Sequence, residues 1–414
     1  MTSMQPPTTA GVDPSPGKSE RLVSVDALRG FDMFWIVGAG AIVQSLGKMD
    51  DNPVTAFLVT QLTHVQWEGF RFYDLIFPLF LFIVGISIVF SLDRAREKGG
   101  RRSMVTRILR RGLLLFALGV FYYGGFSKPW PEIQLGGVLH RIAACYVLAA
   151  LIYLIVPGRR GLLITSIVLP VGYWLLLTFV PFPDLKLEKD TVEAVAGRVG
   201  SGSPFAIAAA TPESVRGLYE EGRNLTNFLD FLLLPGKKAQ LYYINEGLLS
   251  TLPSIVLSLL GILAGQLLKN GSVASSRKVG FLLLGGAVCI ALGLLWSLQF
   301  PLIKRIWTSS FVLVAGGLSA WMLALFYYLI DVRKWRRWCR PFVWIGSNAL
   351  VVYLGARFVP FRDLAATFTG GDLSSFLDRH VAQGIGSVVT SAAALLLVFL
   401  FARFLFRRGI FIRV

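Results

Sequence analysis

Three histidines and three cysteines in 414 residues leave little material for metal or thiol chemistry. Cys145, Cys289 and Cys339 are odd in number and lie in or beside apolar runs. They show no paired spacing, so neither a disulfide framework nor a metal site is expected, and they read as packing residues. No GxSxG, P-loop, HExxH or CxxC pattern occurs, which leaves soluble-type hydrolase, nucleotide-hydrolase and zinc chemistry without support. Acidic residues are also scarce, 24 against 41 Lys and Arg, for a formal charge of +17. The surplus sits in short segments between apolar runs, a pattern of membrane topology rather than a nucleic-acid footprint, so no nucleic-acid partner is expected.

Apolar residues take the place of charge: 54% of the chain is hydrophobic and much of it runs in long stretches. A soluble protein of this length carries far more charge, so the bilayer is read as the solvent. A helix needs about 20 mostly apolar residues to cross the hydrocarbon core. Ten segments qualify, at roughly 26–46, 73–92, 107–123, 135–156, 162–181, 247–268, 279–298, 306–330, 341–358 and 384–406. The expected fold is all-α, a polytopic transmembrane bundle of about ten spans. Basic residues crowd one alternate set of connecting segments, including 94–111, 333–340 and the C-terminal arginines. The positive-inside rule then puts both termini in the cytoplasm, and His64 and a long loop at 182–246 on the far side. Residues 1–20, rich in Pro, Thr, Ser and Gly, read as a disordered cytoplasmic tail without signal-peptide character, and 21–414 as a single transmembrane domain. The long loop is too polar to span but carries Phe228–Leu234 and Tyr242–Tyr243, suited to an interfacial cap over the bundle. Asn224-Leu225-Thr226 is a glycosylation sequon by pattern, a triplet that also arises by chance.

Residues 61–83 hold the most informative polar groups. His64, Trp67, Glu68 and Asp74 sit where the chain is about to enter a span, and ionisable groups there are costly unless paired or used. If 63–74 is helical, His64 and Glu68 are four apart on one face, with Trp67 adjacent and Asp74 two to three turns along. A carboxylate then fixes the imidazole tautomer, the other ring nitrogen is free to take a proton, and Trp67 can stack on a sugar face. The plainer reading is an aromatic belt with a solvated histidine. In the first span, Asp26, Arg29 and Asp32 follow one another at a spacing of three along one face. They form either a self-neutralised ladder or, through Arg29, a site for an anionic ligand such as a phosphate. His140 and Arg141 begin a span after Gly136-Gly137, where they either receive ligand oxygens or snorkel to headgroups. Glu246 precedes the sixth span, a position favoured by the helix N-terminus in any case. Asn348 lies with Gly346 and Ser347 inside the ninth span and needs a hydrogen-bond partner, which a ligand amide can supply.

Several of these blocks, taken in order, resemble heparan-α-glucosaminide N-acetyltransferase, and more closely its bacterial relatives. They are Asp26-Ala27-Leu28-Arg29-Gly30-Phe31-Asp32, His64-Val65-Gln66-Trp67-Glu68-Gly69 and Asp74-Leu75-Ile76-Phe77-Pro78. Gly137 to Ile142, Glu246 to Pro253, Lys304 to Phe311 and Gly346 to Leu350 look similar to further family blocks. The resemblance runs from about residue 21 to the C-terminus. It implies a transmembrane acetyltransferase that moves an acetyl group from cytoplasmic acetyl-CoA, with no metal, to an amino sugar on the other side of the bilayer. His64 matches the family's active-site histidine, as general base or acetyl carrier, and Asp74 its downstream acid. Trp67, Glu68, His140, Arg141, Glu246 and Asn348 are the candidate substrate-binding residues. Arg29, with Asp26 and Asp32, is the candidate site for the phosphates of CoA. A multi-pass location in a bacterial inner membrane, and a homodimer, are further expectations from the resemblance. The rival expectation is a secondary transporter for N-acetylglucosamine or a related amino sugar, with Asp32 and Asp74 as proton or substrate sites.

Overall fold

A computed structural model describes residues 22–49, 52–98, 100–156 and 158–411. The expected tail at 1–20 lies outside the described residues. Eighteen α-helices follow one another among those residues, with four two-residue strands in the polar middle segment. They begin with α1 (Val23–Phe34), α2 (Gly40–Leu46), α3 (Pro53–Gln61), α4 (Phe72–Lys98), α5 (Arg101–Tyr122), α6 (Val138–Ile155) and α7 (Gly158–Phe179). The middle segment contains α8 (Lys189–Val199), α9 (Pro204–Ala209) and α10 (Leu225–Leu233). Then come α11 (Thr251–Lys269), α12 (Ser275–Trp296), α13 (Ser309–Phe326), α14 (Arg340–Ser347), α15 (Ala349–Phe358), α16 (Phe361–Thr369), α17 (Gly371–His380) and α18 (Ile385–Arg407).

Among the described residues, seven helices are long and apolar enough to cross a bilayer: α4, α6, α7, α11, α12, α13 with its continuation to Val332, and α18. The other three expected spans depart for physical reasons. The first is broken into α1 and α2 by a π-helical turn at Trp35–Ala39 with non-helical backbone at Gly38, an interruption that recurs at functional sites. The third, α5, is continuous but begins with Arg101, Arg102, Arg107, Arg110 and Arg111, which lower its hydropathy. The ninth divides at Asn348, between α14 and α15.

Lipid tails supply no hydrophobic drive between helices, so close packing of small residues does much of the joining. A Cβ placed on Gly85 of α4 would lie 2.0 Å from the Ser258 carbonyl oxygen of α11, and one on Gly261 2.0 Å from that of Phe82. Ser258 Oγ also donates to the Leu81 carbonyl at 3.0 Å. Gly30 of α1 and Gly346 of α14 allow as close an approach: a Cβ on Gly30 would lie 1.7 Å from Phe342 O, and one on Gly346 1.9 Å from Asp26 O. These two contacts join α4 closely to α11 and α1 closely to α14.

The segment between α7 and α11 folds over one end of the bundle. Its strands β1 (Phe182–Pro183) and β2 (Ser214–Val215) pair antiparallel, with Phe182 opposite Val215, and so do β3 (Tyr219–Glu220) and β4 (Arg223–Asn224), with Tyr219 opposite Asn224. Phe182, Leu225 and Phe228 pack with Phe300, Ile303 and Ile306 in a core separate from that of the main bundle. The sequon asparagine, Asn224, is fully buried there. It caps α10 by accepting from Asn227 N at 2.9 Å and donates to Glu220 O at 2.8 Å. The triplet is a helix cap, as its Asn at that position favours.

Candidate active site

Residues 62–71 do not continue a helix. Gly69 adopts φ +122°, a left-handed-side conformation open to glycine, and its N–H bonds Leu302 O at 2.8 Å while Glu68 bridges to Ile303. The loop is therefore stitched to the 297–308 connection, and α4 starts only at Phe72. Asp74, in the first turn, accepts from Arg71 N at 3.1 Å. This is the reach-back half of a capping box, with the acid three residues past the cap.

The same carboxylate holds the imidazole. His64 Nδ1 lies 2.8 Å from Asp74 Oδ1; the histidine side chain is 52% exposed and Asp74 only 1%. Lys304 Nζ is 3.3 Å from the same oxygen and 3.0 Å from Nδ1. An ionised carboxylate only accepts, so the imidazole proton sits on Nδ1 and the ammonium directs its own proton to Asp74. Nε2 is left as the basic ring nitrogen, and the Tyr73 ring packs beside the imidazole at 4.7 Å between centroids.

His64 stands at the mouth of a cavity of about 330 Å³. Asn245, Glu246, Lys304 and Arg305 surround the mouth, and Tyr73, Phe77, Phe80, Met33, Ile36, Ile142, Trp307, Leu350 and Tyr353 line the walls and floor. Tyr73 and Phe80 are seven residues apart on α4, so the cavity is about 10 Å deep at 1.5 Å per residue. The turn that presents Lys304 is tightly closed. Thr308 Oγ1 accepts from Ile303 N at 3.0 Å, and the buried Trp307 is held at φ +54°, a strained conformation for a bulky residue. Burial pushes the Lys304 ammonium below its usual pKa, against the opposing pull of Asp74 and Glu246. Burial likewise raises Glu246 above the ordinary carboxylate range, although Arg141 and Lys304 favour its charge.

Of the residues singled out from sequence, the structure brings His64, Asp74 and Glu246 together and places the others elsewhere. Glu68 is exposed and turned to its bridge with Ile303, because the expected helix over 63–74 is a loop. Trp67 donates Nε1 to Tyr219 O at 2.8 Å and packs under the cap rather than in the cavity. His140 is buried against Phe116 and Tyr123, with no hydrogen-bond partner for either ring nitrogen among the described residues. Arg141 neither snorkels nor lines the cavity. It is buried, bonding Ser250 O, Ser254 Oγ, Gly247 O and Ser250 Oγ at 2.7–3.0 Å, with its guanidinium 5.2 Å from the Trp307 ring. It thus braces the chain that carries Glu246. Asn348 donates to Ile410 O at 3.0 Å and is buried outside the cavity. The Asp26–Arg29–Asp32 ladder is only half formed. Arg29 meets Asp26 at 3.5 Å, Ser87 Oγ at 2.7 Å and Gly346 O at 3.4 Å, whereas both oxygens of the fully buried Asp32 lack a hydrogen-bond partner among the described residues. Lys304, Arg305, Tyr73, Trp307, Tyr353 and Asn245 complete the site without having been assigned a role from sequence.

Asp230, under the cap, accepts from Leu248 N at 2.8 Å and touches the position a Cβ on Gly247 would take. Burial raises its pKa to about 7. A carboxyl whose folded pKa is raised binds its proton more tightly in the native state, so the stability it contributes is full at pH values below about 4 and is lost as pH rises to about 7. Thermal unfolding of the wild type should therefore move up by a few degrees between pH 7.5 and pH 5.5, and Asp230→Asn should flatten that slope. An unchanged slope in the variant would assign the effect to another group.

A cavity in a membrane bundle, with a carboxylate-oriented imidazole and an ammonium at its mouth, has the parts needed to take a proton from an incoming nucleophile and to steady negative charge. Comparison with known proteins points the same way. Residues 21–187 match the family described as "Heparan-alpha-glucosaminide N-acetyltransferase, catalytic". The human protein named heparan-alpha-glucosaminide N-acetyltransferase is 28% identical over 343 residues, 72% of this chain and 50% of that protein. Its mouse counterpart is 26% identical over 347 residues, with the same shares. The match thus spans about half the length of these curated relatives. It bears out the family resemblance read from the motifs, at low identity. His64 and Asp74 fall inside the region matched to the family; Glu246 and Lys304 lie beyond it.

Proposed function

We propose that the chain is a transmembrane acetyltransferase that moves the acetyl group of acetyl-CoA to the amine of an amino sugar of glucosamine type. The observation that carries this reading is the 2.8 Å His64–Asp74 pair at the mouth of the cavity. A thioester is already activated, so the protein's work is to deprotonate the acceptor and stabilise the tetrahedral oxyanion. His64 Nε2 takes the proton as the amine nitrogen attacks the thioester carbonyl. Asp74 holds the imidazolium that results, and Lys304, 3.0 Å from the imidazole Nδ1, supplies a cation to steady the developing oxyanion. Collapse forms the C–N bond, breaks the C–S bond and releases CoA thiolate, which takes up a proton. In the alternative two-step course, Nε2 itself accepts the acetyl group and passes it on.

Basic residues cluster at the end of the bundle away from His64, which supports cytoplasmic termini and an acceptor on the far side of the membrane, a bacterial inner membrane by the motif resemblance. The donor then approaches along α1. Asp32 is one turn from the cavity-lining Ile36, and Arg29, with Ser87 and Gly346, lies about a turn beyond. Met33, next to Asp32 on α1, and Phe80 line the cavity, and passage of the thioester from that side would run past them.

The test is purified protein supplied with acetyl-CoA and glucosamine, read by mass spectrometry for N-acetylglucosamine. The transporter reading makes a different demand: labelled N-acetylglucosamine should then enter proteoliposomes in the absence of acetyl-CoA. Uptake without any acetyl product would replace the proposal with that reading.

A further inference from the structure

Asn245 shares the cavity mouth with His64 and Glu246, and its Oδ1 is buried with no hydrogen-bond partner among the described residues. A buried acceptor in that condition is costly unless something brings it a donor. The backbone beside it is firmly held: Leu248 N donates to Asp230 at 2.8 Å, and Gly247 O accepts from Arg141 at 2.9 Å. The backbone that carries the amide and its neighbouring carboxylate is therefore held before any ligand arrives. The basic groups at the mouth already have protein partners, Lys304 at Asp74 and Arg305 at Glu221. Among the described residues, Asn245 Oδ1 is the buried polar atom at this rim that no donor meets.

We propose that Asn245 and Glu246 form an acceptor subsite that recognises the free amino group of the incoming sugar, and that Asn245 makes the cavity prefer that amine to its acetylated product. This rests on the amino-sugar reading above and adds the group that selects the acceptor. A free amino group brings two N–H donors, and three with a positive charge while it is protonated. The amide formed from it brings one donor and no charge. A site built from a carboxylate and an unmet amide oxygen discriminates between the two, because acetylation leaves its acceptors unpaired. The same discrimination favours release of the product.

The experiment is direct binding to the purified full chain, without acetyl-CoA, by isothermal titration with glucosamine and N-acetylglucosamine as probes. Wild type should bind glucosamine at least tenfold more tightly. Asn245→Ala should lose about tenfold in glucosamine affinity and little for N-acetylglucosamine, and in turnover should raise the KM for glucosamine while leaving that for acetyl-CoA in place. Asn245→Asp keeps an oxygen acceptor and should retain glucosamine binding, which separates recognition from a packing role. Equal affinity of wild type for the two sugars, no binding of either, or wild-type glucosamine affinity in Asn245→Ala would overturn the proposal. Asn245-dependent selectivity with no acetyl product would uphold the subsite and overturn the transferase reading instead.

Discussion

His64→Ala should lower acetyl transfer to glucosamine by about a thousandfold or more. A positioned general base contributes typically 10²–10⁴-fold, and a covalent carrier is indispensable to its own route. The loss should be chemical rather than structural. The imidazole is half exposed at the cavity mouth, so its removal opens no void in the core. Asp74 keeps its bonds to Arg71 N and Lys304, which hold the start of α4. Yield, monodispersity and helical content of the variant should match the wild type. The same variant separates the two chemical courses. If His64 carries the acetyl group, wild type incubated with acetyl-CoA alone should release a burst of CoA close to one equivalent, and the variant none. If it acts only as a base, neither protein shows the burst. Undiminished turnover by a well-folded His64→Ala protein would remove the imidazole from the mechanism.

Asp74→Asn should cost nearly as much, about 10²–10⁴-fold in kcat, with little change in the KM for either substrate. Asparagine can still accept from Arg71 N, so the helix start survives. It cannot balance an imidazolium, and its amide can donate to Nδ1 and so favour the tautomer that puts the proton on Nε2, where the base is needed. In serine-protease triads the corresponding change costs about 10⁴-fold for that reason. Lys304 would lose its closest counter-charge at the same time, so the ammonium would bear on His64 uncompensated. A variant within a few-fold of wild type would reduce Asp74 to a helix cap.

The two residues at the centre of the site were legible in sequence because they sit ten positions apart in one polar stretch before an apolar run. Their mutual geometry was not. Helical spacing pointed to Glu68 as the partner of His64, but the left-handed conformation at Gly69 and the bridge to Ile303 abolish that helix. Asp74 takes the role by closing back over the loop. Lys304 comes from 240 positions away, and no local pattern connects it to His64. Arg141 looked like a headgroup or ligand contact because a guanidinium at a helix start has both options; four bonds to the beginning of α11 use it to brace the chain instead. The long, uniformly apolar spans were the easiest part of the fold to read. Those interrupted at Gly38 and Asn348, or laden with arginine in α5, were the hardest, since hydropathy averages over the breaks that shape the cavity.

Delivery of an acetyl group to an imidazole at the far end of the bundle is most directly tested by a sided assay. Proteoliposomes enclosing glucosamine and sorted for one orientation would receive radiolabelled acetyl-CoA on the side of the basic loops only. Labelled N-acetylglucosamine should then accumulate inside the vesicles, and vesicles carrying His64→Ala should stay dark. Product formed only when both substrates share one compartment would contradict transfer across the bilayer.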